Sequence, residues 1–142
     1  MKRLLGLLLV MGMVGCGAPE WVSLDGKWVR RDGLLYEANS ETPFTGVWDS
    51  KYENGQKSFE GTYKDGKAHG LSTQWHENGQ KSSESTYKDD KPEGLSTDWY
   101  HNGQKSSETN YKDGKRVSHT LWDLEGNELK KRRWDKEGNV IK

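Results

Sequence analysis

Large and polar residues follow two regimes along this chain. From Leu4 to Val14 the apolar run is almost unbroken; beyond Cys16 large residues are scattered and alternate with polar ones between Asn-Gly and Asp-Gly pairs. Alternation of period two predicts half-buried strands, and Asn-Gly between two such runs predicts a β-hairpin. Gly46, Gly70 and Gly94 are spaced by 24 residues, as are Asn54-Gly55, Asn78-Gly79 and Asn102-Gly103. The copies run GVWDSKYENGQKSFEGTYKDGKAH, GLSTQWHENGQKSSESTYKDDKPE and GLSTDWYHNGQKSSETNYKDGKRV. A weaker fourth copy places Trp122, Glu125-Gly126, Trp134 and Glu137-Gly138 in nearly matching positions. Terminal copies of an array are often atypical because they close its end. Before the array, Trp21, Trp28 and Tyr36 with Asp25-Gly26 and Asp32-Gly33 read as a degenerate leading unit.

The spacing also predicts register. Asn-Gly favours a two-residue type I′ turn, whose central positions both need positive φ. With Asn78-Gly79 as that turn, Gly70 faces Tyr87; the same rule pairs Gly46 with Tyr63, Gly94 with Tyr111 and, in the fourth unit, Val117 with Trp134. An aromatic lying over a strand glycine restores packing that the glycine lacks. Strand alternation then predicts two faces: Leu71, Thr73 and Trp75 with Ser82, Glu84 and Thr86 on one, and Gly70, Ser72, Gln74 and His76 with Lys81, Ser83, Ser85 and Tyr87 on the other. Stacked copies make one column of Val47, Leu71 and Leu95 beside Trp75, Trp99 and Trp122, and a second of Tyr63, Tyr87, Tyr111 and Trp134. Strands about 4.8 Å apart advance the sheet by roughly 10 Å per repeat. The expected fold is all-β: an elongated single-layer antiparallel sheet of tandem hairpins over 44–142, with units at about 46–69, 70–93, 94–116 and 117–142.

Composition agrees with a thin sheet. All three methionines precede Cys16, and after it the chain has fourteen Leu, Ile and Val against fifteen aromatics. So few aliphatics cannot build an ordinary globular core, and 31% charged residues would otherwise suggest disorder. Without Lys2 and Arg3 the balance is 20 basic against 22 acidic residues, a net charge of −2. That gives no electrostatic case for binding nucleic acid.

The opening segment has its own logic. Met1-Lys2-Arg3, the apolar run, and Met13-Val14-Gly15 before Cys16 have the layout of a secretion signal. The run is too short to span a bilayer core of about 30 Å. Met13-Val14-Gly15-Cys16 resembles the lipobox of bacterial lipoproteins, with Met13 where leucine is commoner. The resemblance implies cleavage after Gly15, diacylglycerol attachment to Cys16 and acylation of the new amine; an ordinary cleaved signal is the alternative. Cys16 is the sole cysteine, in keeping with a lipid site and with the absence of any disulfide framework. Two or three acyl chains would anchor the protein stably. The expected location is therefore outside the cytoplasm, lipid-anchored to the cell membrane; Gly17 favours the outer membrane where the cell has one.

The GLSTxW, ENGQKS and YKDGK blocks resemble the MORN-repeat variant of bacterial secreted proteins and lipoproteins. Arg31-Asp32-Gly33 and Pro43-Phe44-Thr45-Gly46 are similar to the segment that often precedes a first unit. The resemblance covers about residues 31–142. It implies an elongated sheet of hairpins used for protein or lipid contact, in a family some of whose members are labelled antitoxins.

No catalytic, cofactor or metal site is expected. His69, His76, His101 and His119 lack ligand spacing, and no second cysteine could complete a zinc site. Glu60, Glu84 and Glu108, like Lys57, Lys81 and Lys105, recur by repetition, and the repeat serines lack a partnered base. Lys130-Lys131-Arg132-Arg133 is the densest basic run, but strand alternation divides its charges between faces. The favoured reading is a non-catalytic binding module with an envelope protein or lipid headgroups as partner, and no nucleic acid or small-molecule substrate. Its candidate surface is Trp75, Trp99, Trp122, Tyr63, Tyr87 and Tyr111. A passive spacer, an antitoxin- or immunity-type binder, and a carbohydrate-binding sheet are the alternatives.

Overall fold

The computed structural model describes residues 21–23 and 26–141; the signal segment and Cys16 lie outside them. Twelve strands are present among the described residues, and none of these residues is helical. The strands β1 (Trp21–Val22), β2 (Trp28–Arg31) and β3 (Leu34–Glu37) form a small sheet of their own. The remaining nine are β4 (Gly46–Lys51), β5 (Lys57–Lys64), β6 (Lys67–Trp75), β7 (Lys81–Lys88), β8 (Lys91–Trp99), β9 (Lys105–Lys112), β10 (Lys115–Trp122), β11 (Glu128–Trp134) and β12 (Val140–Ile141). They pair in sequence order as one open antiparallel sheet of consecutive hairpins. The leading segment is thus not a further hairpin of the array.

Register is as expected over the strand bodies: Gly46 opposes Tyr63, Gly70 opposes Tyr87 and Gly94 opposes Tyr111. In the fourth unit the ladder begins one step inside the expected Val117–Trp134 pair, at Ser118 and Arg133. The turns, however, are not those expected. Gly55, Gly79 and Gly103 have φ of 83–84°, whereas Asn54, Asn78 and Asn102 are not among the positive-φ residues. Gly55 N–H donates to Tyr52 O (2.9 Å) and Tyr52 N–H to Gln56 O (2.8 Å), as in a three-residue loop whose last position is left-handed. One extra residue in the returning strand, Ser58, Ser82 or Ser106, then bulges and restores the register of a two-residue loop. The type I′ chemistry sits at the opposite edge instead. Asp65-Gly66, Asp89-Asp90 and Asp113-Gly114 have positive φ at both central positions.

The bulges reassign one side chain of the expected faces. A single extra residue reverses alternation, so Lys81, directly opposite Trp75, shares the face of Glu84 rather than that of Ser83 and Ser85. The ion pairs Lys57–Glu60, Lys81–Glu84 and Lys105–Glu108 recur for this reason. Gly70 and Gly94 mark a second irregularity, with two extra residues in β6 and in β8. Their φ values of 109° and 72° explain the glycines better than aromatic cover does. Thr62, not Tyr87, supplies the nearest atoms to a Cβ placed on Gly70. In β10 the insertion shrinks to Val117 alone, which has no positive φ, and valine is tolerated.

Burial is concentrated at the array's start. Leu35 is 1% exposed and Tyr63 7%, the only buried hydrophobic residues among those described. Trp28 meets Phe44 edge-on at 4.7 Å and Trp48 at 6.0 Å, and Trp48 continues to Phe59 and Tyr63. Three backbone bonds of 2.8 Å close the joint: Leu35 N–H to Gly66 O, Gly66 N–H to Phe44 O, and Phe44 N–H to Leu35 O. A Cβ on Gly66 would lie 2.8 Å from Leu34 Cβ and 3.0 Å from the Leu35 backbone, so this turn admits only glycine. Asp90, in the equivalent place one repeat later, has room for a side chain. Its Oδ1 accepts from Ala68 N–H at 2.8 Å, while its own N–H donates to Ala68 O.

Successive hairpins are tied at the Asn-Gly edge. Asn54, Asn78 and Asn102 accept from the backbone two residues on through Oδ1, and donate through Nδ2 to Glu77 O, His101 O and Leu124 O of the following repeat. The last two loops solve the same problem differently. Asp123 and Asp135 accept backbone and side-chain donors from Asn127 and Asn139, and these bonds hold both carboxyls below the ordinary aspartate value.

Two outcomes follow. In urea unfolding, Gly114→Ala should lose about 1–2 kcal/mol to left-handed strain, since only the flexible Lys91 side chain adjoins it. Gly66→Ala should lose about 1–3 kcal/mol more through its clash with Leu35. Equal losses would show that the cap does not depend on this joint. A depressed aspartate stabilises the fold above its unfolded pKa of about 3.9 and loses that contribution as pH falls through the lower folded value. Protection of the amides in the loops at 123–127 and 135–139, relative to the free-chain exchange rate, should therefore fall below about pH 4, and Asp123→Asn with Asp135→Asn should remove the dependence.

Candidate functional site

The sheet's two faces differ in kind. On the first, a row of Thr73, Thr97 and Thr120 alternates with Glu60, Glu84 and Glu108 across adjacent strands. The threonines are buried, and each glutamate is held by the lysine three residues before it. The Glu60 carboxylate raises the Lys57 ammonium above its ordinary value, first by hydrogen bonding and then by charge. Beside this row lies a second in which tryptophan and lysine oppose one another: Trp75 with Lys81, and Trp99 with Lys105. Lys57 stands 5.4 Å from the centre of the Trp75 ring and Lys105 5.8 Å from that of Trp122. Cation–π contact of this kind steadies the ring and keeps a positive charge over it.

Trp75, Trp99 and Trp122 are half-buried, and their backbone carbonyls accept from Tyr52 Oη, His76 Nε2 (3.0 Å) and Tyr100 Oη (2.8 Å). Each tryptophan is therefore fixed by the repeat before it. Outward of the threonine row the same face carries Val47, Leu71 and Leu95, the last two 50% and 52% exposed and one repeat apart. The exposed aliphatic column and the half-covered tryptophan row thus flank the threonine–glutamate row on one face.

The other face is lined by small side chains. Gly61, Ser72, Ser85, Ser96 and Thr109 oppose one another in a row that ends at Trp48 and His119. Tyr63, one of the six expected surface aromatics, lies at this row's start beneath Phe44 and Trp48. Its burial raises the phenol above its ordinary value and removes it from any contact surface. Tyr87 and Tyr111 remain half-buried on this face, opposite to the tryptophans. The expected six therefore divide: three tryptophans on one face, two tyrosines on the other, and one tyrosine in the core. What sequence reasoning missed is the pairing of lysine with tryptophan, which the bulges at Ser58, Ser82 and Ser106 create.

Among the described residues no group of three His, Cys, Asp or Glu could hold a metal ion, and no helix is long and apolar enough to cross a membrane. His76 and His101 stack at 3.8 Å between successive loops, so these two histidines belong to the inter-repeat joint.

Residues 44–65, 68–89 and 92–113 match the MORN repeat variant family, in phase with the hairpins described above. No curated protein matches the chain. Among solved structures the chain aligns with one from accessory secretory proteins 1, 2 and 3 of Streptococcus pneumoniae, at 17% identity and a TM-score of 0.27. That alignment covers 86% of this chain and 21% of the other, so the chain spans about a fifth of its length. MORN repeats form all-β sheets that are generally non-catalytic and serve as binding modules for proteins or lipids, and residues 44–113 of this chain are three tandem MORN-repeat-variant units.

Proposed function

We propose that the chain is an envelope lipoprotein, anchored through Cys16, whose tryptophan-bearing face binds a protein partner in the envelope. The observation that carries the binding half is the coincidence, on one uncovered face, of the Trp75–Trp99–Trp122 row with the exposed Val47–Leu71–Leu95 column. Interfaces concentrate their free energy in aromatic anchors ringed by polar contacts, and here Lys57, Lys81 and Lys105 with their glutamates supply the polar ring. The rows repeat roughly every 10 Å, so a partner extended along the array could engage equivalent anchors in turn. The anchoring half is supported by the basic start, the apolar run and the Met13–Cys16 sequence, and Gly17 favours the outer membrane in a cell that has one. The sheet takes no part in catalysis in this reading. The inter-repeat bonds at the Asn-Gly edge favour a second reading, a stiff spacer, in which no side chain is specific.

Crosslinked capture from intact envelopes separates the readings. The native chain should recover a reproducible partner and sediment with membranes, and Cys16→Ser should leave it soluble. Trp75→Ser with Trp99→Ser should lower recovery about tenfold or more, the loss typical of truncated anchors. Leu71→Ser with Leu95→Ser removes exposed side chains whose loss leaves stability nearly unchanged, and should also lower recovery. Full recovery by both double variants, with their circular dichroism intact, would overturn the binding surface in favour of the spacer.

A further inference from the structure

The C-terminal unit carries a second arrangement, on the serine-lined face and outside the family-matched repeats. Alternation along β11 alone divides its basic run between the two faces. Register across three strands changes this. Lys130 opposes Leu121, and Arg132 opposes His119, which in turn opposes Thr109. The single inserted residue Val117 then sets Arg116, opposite Tyr111, on the face of His119 as well. Two bulges, at Val117 and Leu129, thus gather Arg116, Lys130 and Arg132 around one imidazole.

These cations lack carboxylate partners. Among the described residues the side chains of Arg116, Lys130 and Arg132 form no ion pair and no hydrogen bond, while the repeat lysines nearby are held by their glutamates. Arg116 is positioned by Trp134, whose ring centre lies 5.5 Å from its guanidinium carbon. His119 Nδ1 is 2.8 Å from Thr109 Oγ1. The one acidic group facing the imidazole is Asp98, already accepting from Ser107 Oγ at 2.6 Å. Burial holds the imidazole below its ordinary value, the Arg116 charge adds to this and Arg132 adds less, against an opposing contribution from Asp98. Three cations without ion-pair partners beside a hydroxyl and a neutral imidazole offer charge-assisted donors that outnumber the single carboxylate facing them, Asp98.

We propose that Arg116, Lys130 and Arg132, with His119 at their centre, form a binding site for a phosphoryl group. The two guanidiniums suit bidentate contact with phosphate oxygens, Lys130 adds a point charge, and His119 can donate once an anion draws a proton to it. The site lies on the face opposite the tryptophan row and does not depend on the partner proposed there. A soluble phosphorylated compound and a phospholipid headgroup would present the same chemistry.

The test uses the full chain with Cys16→Ser and follows the His119 ring by NMR. Inorganic phosphate should shift its resonances saturably and raise its pKa, because a bound oxyanion offsets the neighbouring guanidiniums. Arg116→Gln with Arg132→Gln should weaken this binding roughly tenfold or more. Lys131→Gln with Arg133→Gln removes equal charge from the opposite face and should leave it unchanged. Sedimentation with phosphatidylcholine vesicles, with and without phosphatidylglycerol, distinguishes the sources. Phosphate binding without a vesicle preference supports a soluble ligand, and retention by the anionic vesicles, lost only in the Arg116/Arg132 variant, supports a headgroup. The site is overturned if neither probe binds, or if the two double variants weaken binding equally, since the effect is then one of net charge.

Discussion

Among the described residues the nine-stranded sheet has no second layer over most of its length, so backbone pairing and contacts between repeats take the place of a core. Buried residues away from the capped end are threonines and a serine, and the large side chains along the array are half-covered by their own neighbours. Lysine and glutamate close over tryptophan and threonine, and Asn54, Asn78 and Asn102 carry each loop's hydrogen bonds into the next repeat. Stability in such a structure is the sum of units and of the joints between them, so each joint matters as a core residue would elsewhere. The small N-terminal sheet performs the one conventional act of burial, placing Leu35 and Trp28 on the open start of the array.

Much of this was legible in the sequence, although partly through the wrong intermediate. The 24-residue period and the Asn-Gly pairs lead to hairpins and to the Gly70–Tyr87 register, and both hold. The inferred turn does not: Asn78-Gly79 ends a three-residue loop, and Ser82 returns the lost residue as a bulge. Two departures cancel in the register, yet not in the faces, which is why Lys81 joins Glu84 and Trp75. Alternation counted along one strand cannot see a bulge whose cause is the turn. The Asp-Gly edge, read only as a chain reversal, is where the positive-φ pairs reside.

The candidate surface was legible to the same degree. Trp75, Trp99 and Trp122 share a face as the spacing requires, because the bulges at Ser82 and Ser106 lie in the partner strands and leave Leu71–Trp75 and Leu95–Trp99 alternating without interruption. Tyr63 has the repeat position of Tyr87 and Tyr111 but a different fate, since the leading segment folds over it alone. Part of the difference lies within the repeat, where Trp48 stands at the place of Ser72 and Ser96 and packs on Tyr63; the rest comes from Phe44, outside it.

The fourth unit shows how a repeat array acquires a new surface without abandoning its geometry. Its loops keep the three-residue form while exchanging the asparagine bond for Asp123–Asn127 and Asp135–Asn139, contacts that close within the loop and need no following repeat. In β11 the serine and glutamate of the equivalent strands also give way to Lys130, Lys131, Arg132 and Arg133. A strand between two full neighbours could not hold so many charges, because like charges opposite one another destabilise a sheet. Here β12 covers only the far end of β11, pairing with Arg133 and Trp134, and leaves most of that strand to solvent. Loops that hold their own hydrogen bonds, together with a strand paired over only part of its length, are thus what permit a concentrated basic patch in the fourth unit.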